Sequence, residues 1–178
     1  MLAERLRAKR RGAAGTTWHA DETYIRVNGR WCYLYRATDR DGDLIDARLS
    51  ATRDTDAARR FFRQALASAG KAPAQVTTDG HDAYPRASRE GLGQSVRHRT
   101  SRYKNNRIEQ DHRGIEQRYY LLRGFGSFAS AARFCSAFEE LRQYFRAVSQ
   151  GGERVSLAEQ RCRYQERWAA VMGELAAA

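Results

Sequence analysis

Asp21 is an acidic residue at a position where a carboxylate is unusual. It lies in the segment 18–27, whose alternate residues form two faces, and it shares one face with the apolar Ile25 and Val27. Its neighbour Glu22 lies on the opposite face. A carboxylate on an apolar face is costly unless it is paired or bound to a metal. The alternative interpretation is a strand-end aspartate that reaches solvent.

Two further elements offer carboxylates. Asp79 ends a short predicted strand, at the kind of carboxyl end where the sites of α/β proteins collect, although an aspartate there also begins turns and caps helices. On a helix predicted over 105–122, Glu109 and Asp111 flank the apolar stripe begun by Ile108 from opposite sides. Helix geometry does not choose between these two acids, and a surface charge that pairs along the helix is the alternative for either.

Acids from two strands and a helix converge if that helix packs on the sheet. Clustered carboxylates repel one another, and a divalent cation relieves the repulsion. Mg²⁺ is suited to this role because it prefers oxygen ligands and keeps waters and phosphates in its shell. Two such ions activate a hydroxyl and stabilise a departing 3′ oxygen, so we expect a two-Mg²⁺ site in which Mn²⁺ substitutes.

The surrounding pattern predicts an α/β domain with a five-stranded mixed sheet. The first three strands are predicted as an antiparallel meander over 18–27, 31–35 and 44–49, with turns at 28–29 and 41–42. The segment 31–35 is expected to be covered on both sides. A helix over 54–69 and a strand over 75–79 imply a crossover, so the fourth strand is expected to run parallel to a meander strand. The remaining predicted elements are a short helix over 81–90, a strand over 95–101, and helices over 105–122 and 127–148.

The acids around the second turn have a simpler interpretation. They are Asp39, Asp41, Asp43 and Asp46. The first three have the spacing of a calcium loop, but that loop requires Gly at its sixth position and Glu at its twelfth, where this sequence has Leu44 and Ser50. We therefore expect a solvated turn.

Composition narrows the class of protein. Among 178 residues, 32 are Lys or Arg and 21 are Asp or Glu, which gives a net charge of +11. This balance is typical of proteins that bind nucleic acid. No apolar run is long enough for a membrane span, and the basic start lacks the apolar stretch of a secretory signal. The three cysteines form no metal-binding or disulfide pattern, so we expect a soluble protein of a reducing compartment.

The positive charge is concentrated in residues 86–123, which contain ten Lys or Arg and four acids. Lys and Arg neutralise phosphates without reading bases, so this segment is expected to bind DNA with strong salt dependence, and Tyr103 is expected to stack on an unpaired base. A solvated basic face without a partner is the alternative. The candidate DNA-binding residues are Arg102, Tyr103, Lys104, Asn105, Asn106, Arg107, His112 and Arg113.

Several strings resemble the transposases of insertion sequence family six, in the family's order and approximate spacing over roughly residues 18 to 145. They are WHADETYIRV at 18–27, WCYLYRATDRD at 31–41, TTD at 77–79, NNRIEQDHR at 105–113 and GFGSF at 124–128. The resemblance implies a ribonuclease-H-like fold of the retroviral integrase superfamily, with Asp21, Asp79 and Glu109 as the catalytic, metal-binding acids of a DDE site. It thereby selects Glu109 over Asp111.

The resemblance also implies an activity and its setting. The activity is Mg²⁺-dependent nicking at element ends and transfer of the freed 3′ hydroxyl into target DNA, in replicative, cointegrate-forming transposition. The partners implied are DNA and further copies of the chain, without a membrane, in the bacterial cytoplasm at the nucleoid. We expect a basic lead-in over 1–17, the catalytic domain over 18–149, and a linker with an amphipathic helix over 150–178. That helix is expected to bury Tyr164, Trp168, Val171, Met172 and Leu175.

Three features depart from the family pattern and keep two alternatives open. We expect the chain to lack the family's helix-turn-helix before the catalytic domain. The 29 residues between Asp79 and Glu109 are fewer than the family usually has. Glu116 stands seven residues after Glu109, where related enzymes place Lys or Arg, and Arg113 is a partial substitute. The alternatives are an inactive remnant that binds DNA or self-associates, and a ribonuclease-H-like nuclease or resolvase.

Overall fold

The computed structural model describes residues 2–10, 12, 14–101, 114–115, 117–118, 124–146 and 155–176. The strands are β1 (Thr17–Val27), β2 (Arg30–Asp39), β3 (Leu44–Ser50), β4 (Gln75–Thr78) and β5 (Arg97–Thr100). The helices are α1 (Leu2–Lys9), α2 (Thr55–Ala69), α3 (Ala83–Leu92), α4 (Phe128–Phe145) and α5 (Leu157–Ala176). The helix predicted over 105–122 lies mostly outside the described residues, although 114–115 and 117–118 are helical.

The five strands form one mixed sheet in the order β3-β2-β1-β4-β5. The pairs β1–β2 and β2–β3 are antiparallel, while β1–β4 and β4–β5 are parallel. This arrangement confirms the meander and the parallel fourth strand. The meander turns at Asn28 and Gly29, whose φ angles of 47° and 75° give the twist that a two-residue hairpin needs.

Helices cover both faces of the sheet. On the first face, α2 and α3 bury the apolar side chains of the sheet together with Phe61, Phe62 and Tyr84. On the second face, α4 and Ile115 bury Ile25, Val27 and Leu34. Asp21 lies on the second face, as the alternation predicts, because it shares its parity in β1 with Ile25. Within the described parts of the chain, none of the helices has the length and apolarity needed to cross a membrane.

Helix α2 begins after Asp54 and ends at Gly70, the two residues that the sequence predicts as its caps. The Asp54 side chain accepts a hydrogen bond from the backbone N of Ala57 at 2.7 Å and so caps the helix. Gly70 ends the helix with a φ of 75°, and its backbone N donates to Leu66 O at 2.9 Å. Both ends agree with the prediction over 54–69.

The exposure of two segments differs from expectation. Trp31, predicted to be covered on both sides, is 52% exposed because α2 and α3 cover the first face only at its other end, around Tyr35. On α5, Val171 is buried as expected, but the other four predicted core residues are about half exposed. They are Tyr164, Trp168, Met172 and Leu175. Rings of Tyr164 and Trp168 meet Phe145 of α4, and this contact covers only part of each.

The acids of the second turn are less exposed than predicted. Asp46 is fully buried, and its Oδ2 accepts hydrogen bonds from Ser68 Oγ at 2.6 Å and Gln64 Nε2 at 3.1 Å. Asp39 is also buried, and its Oδ1 accepts from the backbone N of Asp41 and Asp43. The solvated-turn prediction is therefore wrong for both residues. Helix α2 packs over Asp46, and the backbone of the turn folds back on Asp39.

Helix α1 is joined to α4 by a buried carboxylate. Glu140 Oε1 lies 3.0 Å from Arg7 Nε and 2.7 Å from Arg10 Nη2, and the Glu140 side chain is almost completely buried. Arg10 also donates to the backbone oxygen of Leu44 at 2.8 Å. The basic start of the chain is therefore packed on the domain through ion pairs. All three cysteines, Cys32, Cys135 and Cys162, are free.

Candidate active site

Asp21 and Asp79 meet where the parallel pair β1–β4 ends. The last paired residues are His19 and Thr77, and the same register continued two residues further sets Asp21 beside Asp79. Ligand oxygens of these two residues and of Glu22 lie within 4.8 Å of one another. The acids thus lie where the β1–β4 pairing stops. Asp79 directly follows the carboxyl end of β4, a position where sites of α/β sheets form, and Asp21 lies beside it within β1.

Backbone hydrogen bonds fix the two aspartates. Asp21 Oδ1 accepts from the backbone N of Glu22 at 2.8 Å. Asp79 Oδ1 accepts from the backbone N of His81 at 3.0 Å, and the Asp79 backbone oxygen accepts from Thr78 Oγ1 at 2.9 Å. The Asp79 side chain remains 30% exposed. Both carboxylates are therefore oriented, and Asp79 is reachable from solvent.

Glu22 belongs to the same cluster, although sequence reasoning assigned it no role. It lies on the first face of the sheet, where α3 covers it, and its side chain is buried. Its Oε1 accepts hydrogen bonds from the Arg53 guanidinium, and its Oε2 accepts from the Tyr84 hydroxyl. Both carboxylate oxygens of Glu22 are therefore engaged by Arg53 and Tyr84. An acid two residues along the strand from the buried Ala20 was the signal available in the sequence.

Arg53 brings positive charge to the acids. Its Nη2 lies 3.7 Å from Asp79 Oδ2, while the same guanidinium pairs with Glu22. Burial lowers the pKa of Arg53, but the charge of Glu22 and its hydrogen bond outweigh burial and raise it. Burial, followed by the charge of Glu22, raises the pKa of Tyr84 well above its usual value. Arg53 is therefore a permanent cation, and Tyr84 is a permanent donor to Glu22.

A second buried ion pair lies on the strand next to Asp21, on the same face of the sheet. Arg36 is the register partner of Asp21 on β2, so both side chains are on the second face of the sheet. Arg36 Nε lies 2.8 Å from Glu139 Oε2 of α4, and both side chains are almost completely buried. This pair ties α4 to β2, the strand that pairs with β1 at Asp21.

The chemistry of the donors fits a hard divalent cation. Asp21 and Asp79 supply carboxylate oxygens at one half-buried point, and the oxygens of Glu22 already accept from Arg53 and Tyr84. Glu109, its competitor Asp111, and Glu116 lie outside the described residues. So do all the candidate DNA-binding residues: Arg102, Tyr103, Lys104, Asn105, Asn106, Arg107, His112 and Arg113.

Comparison with known proteins identifies the family. A family model of IS240-type transposases, described as a DDE domain, matches residues 15–156. The chain belongs to this DDE transposase family. The DDE domain is 38% identical over 109 residues to the transposase of the insertion sequence-like element IS431mec of Staphylococcus aureus, and equally to that of the element IS257 in transposon Tn4003. The resemblance to transposases of insertion sequence family six is confirmed.

The similarity spans only part of each relative. Each S. aureus alignment covers 57% of this chain and 46% of the relative, so the DDE domain spans about half the length of those transposases. A protein of Yersinia pseudotuberculosis, pYV0051, which carries no functional description, is 40% identical over 73 residues, covering 40% of this chain and 68% of its own.

Solved structures share the fold. The HTLV-2 integrase catalytic core domain in complex with magnesium has a TM-score of 0.55 at 17% identity and covers 88% of this chain and 99% of its own. A chain of the simian T-cell lymphotropic virus intasome in complex with PP2A regulatory subunit B56 gamma also has a TM-score of 0.55 at 17% identity. That match covers 85% of this chain and 56% of the intasome chain. The DDE domain therefore has the ribonuclease-H-like fold of retroviral integrase cores, as predicted.

Proposed function

We propose that this DDE domain is the catalytic part of a transposase that cleaves DNA at element ends and joins the freed 3′ hydroxyl to target DNA. The observation that carries the proposal is the meeting of Asp21 and Asp79 just beyond the last paired residues of β1 and β4. We assign catalysis to these two residues and to Glu109. The family's replicative, cointegrate-forming mode is part of the proposal.

Asp21, Asp79 and Glu109 would hold two Mg²⁺ ions, with Mn²⁺ able to substitute. When bound, such ions make a hydroxyl or water more nucleophilic and stabilise the charge on the departing oxygen. The magnesium in the HTLV-2 integrase core supports this choice of metal. Around the acids, Glu22 and Tyr84 orient Arg53, whose guanidinium lies beside Asp79 and balances part of the negative charge.

The remaining parts of the proposal concern partners and organisation. We assign phosphate contacts to the basic residues between Arg102 and Arg113. We propose that residues 18–149 form the catalytic domain, that 1–17 precede it, and that 150–178 form a linker and helix. We further propose a homo-oligomer, which the dimeric form of the HTLV-2 integrase core supports, and a location at the bacterial nucleoid in the cytoplasm.

A strand-transfer assay tests the proposal. The substrate is a pre-nicked duplex made from DNA that flanks the gene, offered with a supercoiled target in Mg²⁺ or Mn²⁺. We expect joined product from the wild-type chain and none from Asp21→Asn or Glu109→Gln. The control is Asp41→Asn, which removes an exposed carboxylate from a turn and is expected to leave the product unchanged.

Other outcomes separate the alternatives. Cleavage of branched or hybrid substrates without any target joining would identify a ribonuclease-H-like nuclease or resolvase. Tight, salt-sensitive DNA binding without product in either metal would identify an inactive DNA-binding remnant. Either outcome overturns the proposal.

A further inference from the structure

One end of the first sheet face carries exposed aromatic rings. Tyr24 is 47% exposed and Trp31 is 52% exposed, whereas Ile25 and Leu34, on the opposite face of the same strands, are buried under α4. Helices α2 and α3 cover this first face only as far as Glu22 and Tyr35. Among the elements that the structure describes, the sheet therefore continues beyond its helical cover with one face open.

The open end holds a defined set of side chains, here called the aromatic–arginine face. It consists of Tyr24, Arg26, Trp31, Tyr33 and Arg53. Tyr24 is the cross-strand partner of Tyr33 and Arg26 is that of Trp31, so these four side chains lie on the same face. The Tyr24 ring lies 5.3 Å from Tyr33 and 6.0 Å from Trp31, centroid to centroid. The rings brace one another, which limits their freedom before any ligand arrives.

Both arginines of this face contact its rings. The Arg26 guanidinium lies 5.6 Å from the centroid of Trp31, and the Arg53 guanidinium lies 5.9 Å from the centroid of Tyr24. Aromatic rings interleaved with cations are typical of surfaces that bind single-stranded nucleic acid, since bases stack on the rings and phosphates pair with the cations. The net charge of +11 favours the same class of ligand.

Arg53 connects this face to the acidic site. Its Nη1 lies 3.4 Å from the Tyr24 hydroxyl, while its Nη2 lies 3.7 Å from Asp79 Oδ2. One side chain therefore spans from the first ring to the second aspartate. A polynucleotide with a phosphate at the aspartates therefore passes within reach of the Tyr24 ring, since one arginine side chain contacts both.

We propose that the aromatic–arginine face binds the unpaired bases of a DNA strand whose backbone passes Asp21 and Asp79. This inference rests on the proposed function, because the strand is the one whose backbone is cleaved at the aspartates. Trp31 and Tyr24 stack on bases, and Arg26 and Arg53 contact phosphates. The face thereby holds the strand on the side of the site opposite α4.

The test measures binding of a fluorescein-labelled oligothymidylate by fluorescence anisotropy in EDTA, so that no metal-dependent chemistry takes place. Trp31→Ala is expected to weaken binding by about 5-fold to about 150-fold, the range given by loss of stacking on one base. Trp31→Phe keeps a ring and is expected to retain most of the affinity. The matched control is Trp168→Ala, since Trp168 is also half exposed but belongs to α5 and not to the aromatic–arginine face.

Salt dependence separates stacking from charge. Arg26→Gln is expected to reduce the slope of log K against log salt by close to one phosphate's share, about 0.7, whereas Trp31→Ala leaves the slope unchanged. Circular dichroism of each variant verifies that the sheet is folded.

The proposal is overturned if Trp31→Ala and Tyr24→Ala bind the oligonucleotide as the wild type does, or if Trp168→Ala weakens binding equally. It is also overturned if Trp31→Ala only changes the oligomeric state, which would make the face a protein interface. A chain without strand-transfer activity that still loses affinity on Trp31→Ala refutes the proposed function and retains this site. If the wild type shows strand transfer but Trp31→Ala and Tyr24→Ala bind with unaltered affinity, the proposed function stands and this binding site is refuted.

Discussion

Asp21 and Asp79 lie at the same level of the parallel pair β1–β4, two residues beyond its last paired positions, His19 and Thr77. Strand register, rather than side-chain packing, therefore brings the two carboxylates together. The backbone therefore holds two like charges close together, and Arg53 beside Asp79 offsets part of their repulsion. Substitutions that neutralise one of them are expected to leave the sheet intact.

Metal binding is expected to stabilise the folded chain through these aspartates. Mg²⁺ or Mn²⁺ at ten times its Kd adds about 1.4 kcal/mol to the free energy of unfolding if it binds only the folded state. Asp79→Asn is expected to abolish this increment, and removal of the metal with EDTA to reverse it in the wild type. Thermal unfolding with and without metal measures the effect. Asp41→Asn is the control, and an equal metal response in both variants would contradict the assignment.

Glu22 and Tyr84 are expected to act as one unit in holding Arg53. Glu22→Gln removes the charge that pairs with the guanidinium, and the free energy of unfolding is expected to fall by about 1.5–3 kcal/mol. Tyr84→Phe removes the hydroxyl that donates to Glu22 Oε2. Because the two residues share a hydrogen bond, the double variant is expected to differ from the sum of the singles by at least about 0.5 kcal/mol. Urea unfolding of the four proteins measures the coupling, and strict additivity would refute it.

Glu140 is expected to contribute strongly to the packing of α1 on α4. Glu140→Ala removes the carboxylate that Arg7 and Arg10 share. Because Arg7 still pairs with Asp46 at 3.2 Å and Arg10 still donates to Leu44 O, the expected cost is about 1.5–3 kcal/mol in the free energy of unfolding. The control, Glu159→Ala, breaks an exposed pair with Arg163 along α5 and is expected to cost no more than about 0.5 kcal/mol. Chemical unfolding of both variants provides the comparison. Equal losses would show that α1 is only loosely attached.

His98 is expected to make stability fall in mild acid. Its Nε2 lies 2.9 Å from Thr78 Oγ1 on the strand that leads to Asp79, and burial, aided by the positive charge of Arg89, lowers its pKa. The unfolded chain then binds a proton more readily than the folded chain, so this contribution is complete above about pH 6.5 and is lost as the pH falls through the lowered pKa.

The measurement is thermal unfolding of the wild type and His98→Asn between about pH 7 and about pH 5.5. The wild type is expected to lose more stability over this interval than the variant. The difference between the two isolates His98 from the other histidines. If stability falls equally with pH in the wild type and in His98→Asn, His98 has the same pKa in the folded and unfolded chains, and the prediction is wrong.

Local patterns in the sequence determine most of the fold. Alternation placed Asp21 on the face of Ile25, and Asn28 with Gly29 marked the first turn, because each depends only on neighbouring residues. The crossover rule made β4 parallel to a meander strand. The resemblance of several strings to one family indicated the fold and the pairing of Asp21 with Asp79.

Only the tertiary structure decided how far each covering helix reaches. Glu22 and Trp31 occupy the same face of the sheet, yet α3 buries the first and leaves the second in solvent. Asp46 sits beside a turn but is buried under α2, and the ring of Trp168 extends past its contact with Phe145. Periodicity specifies the direction of a side chain. Burial also depends on residues distant in sequence, whose position no local pattern encodes.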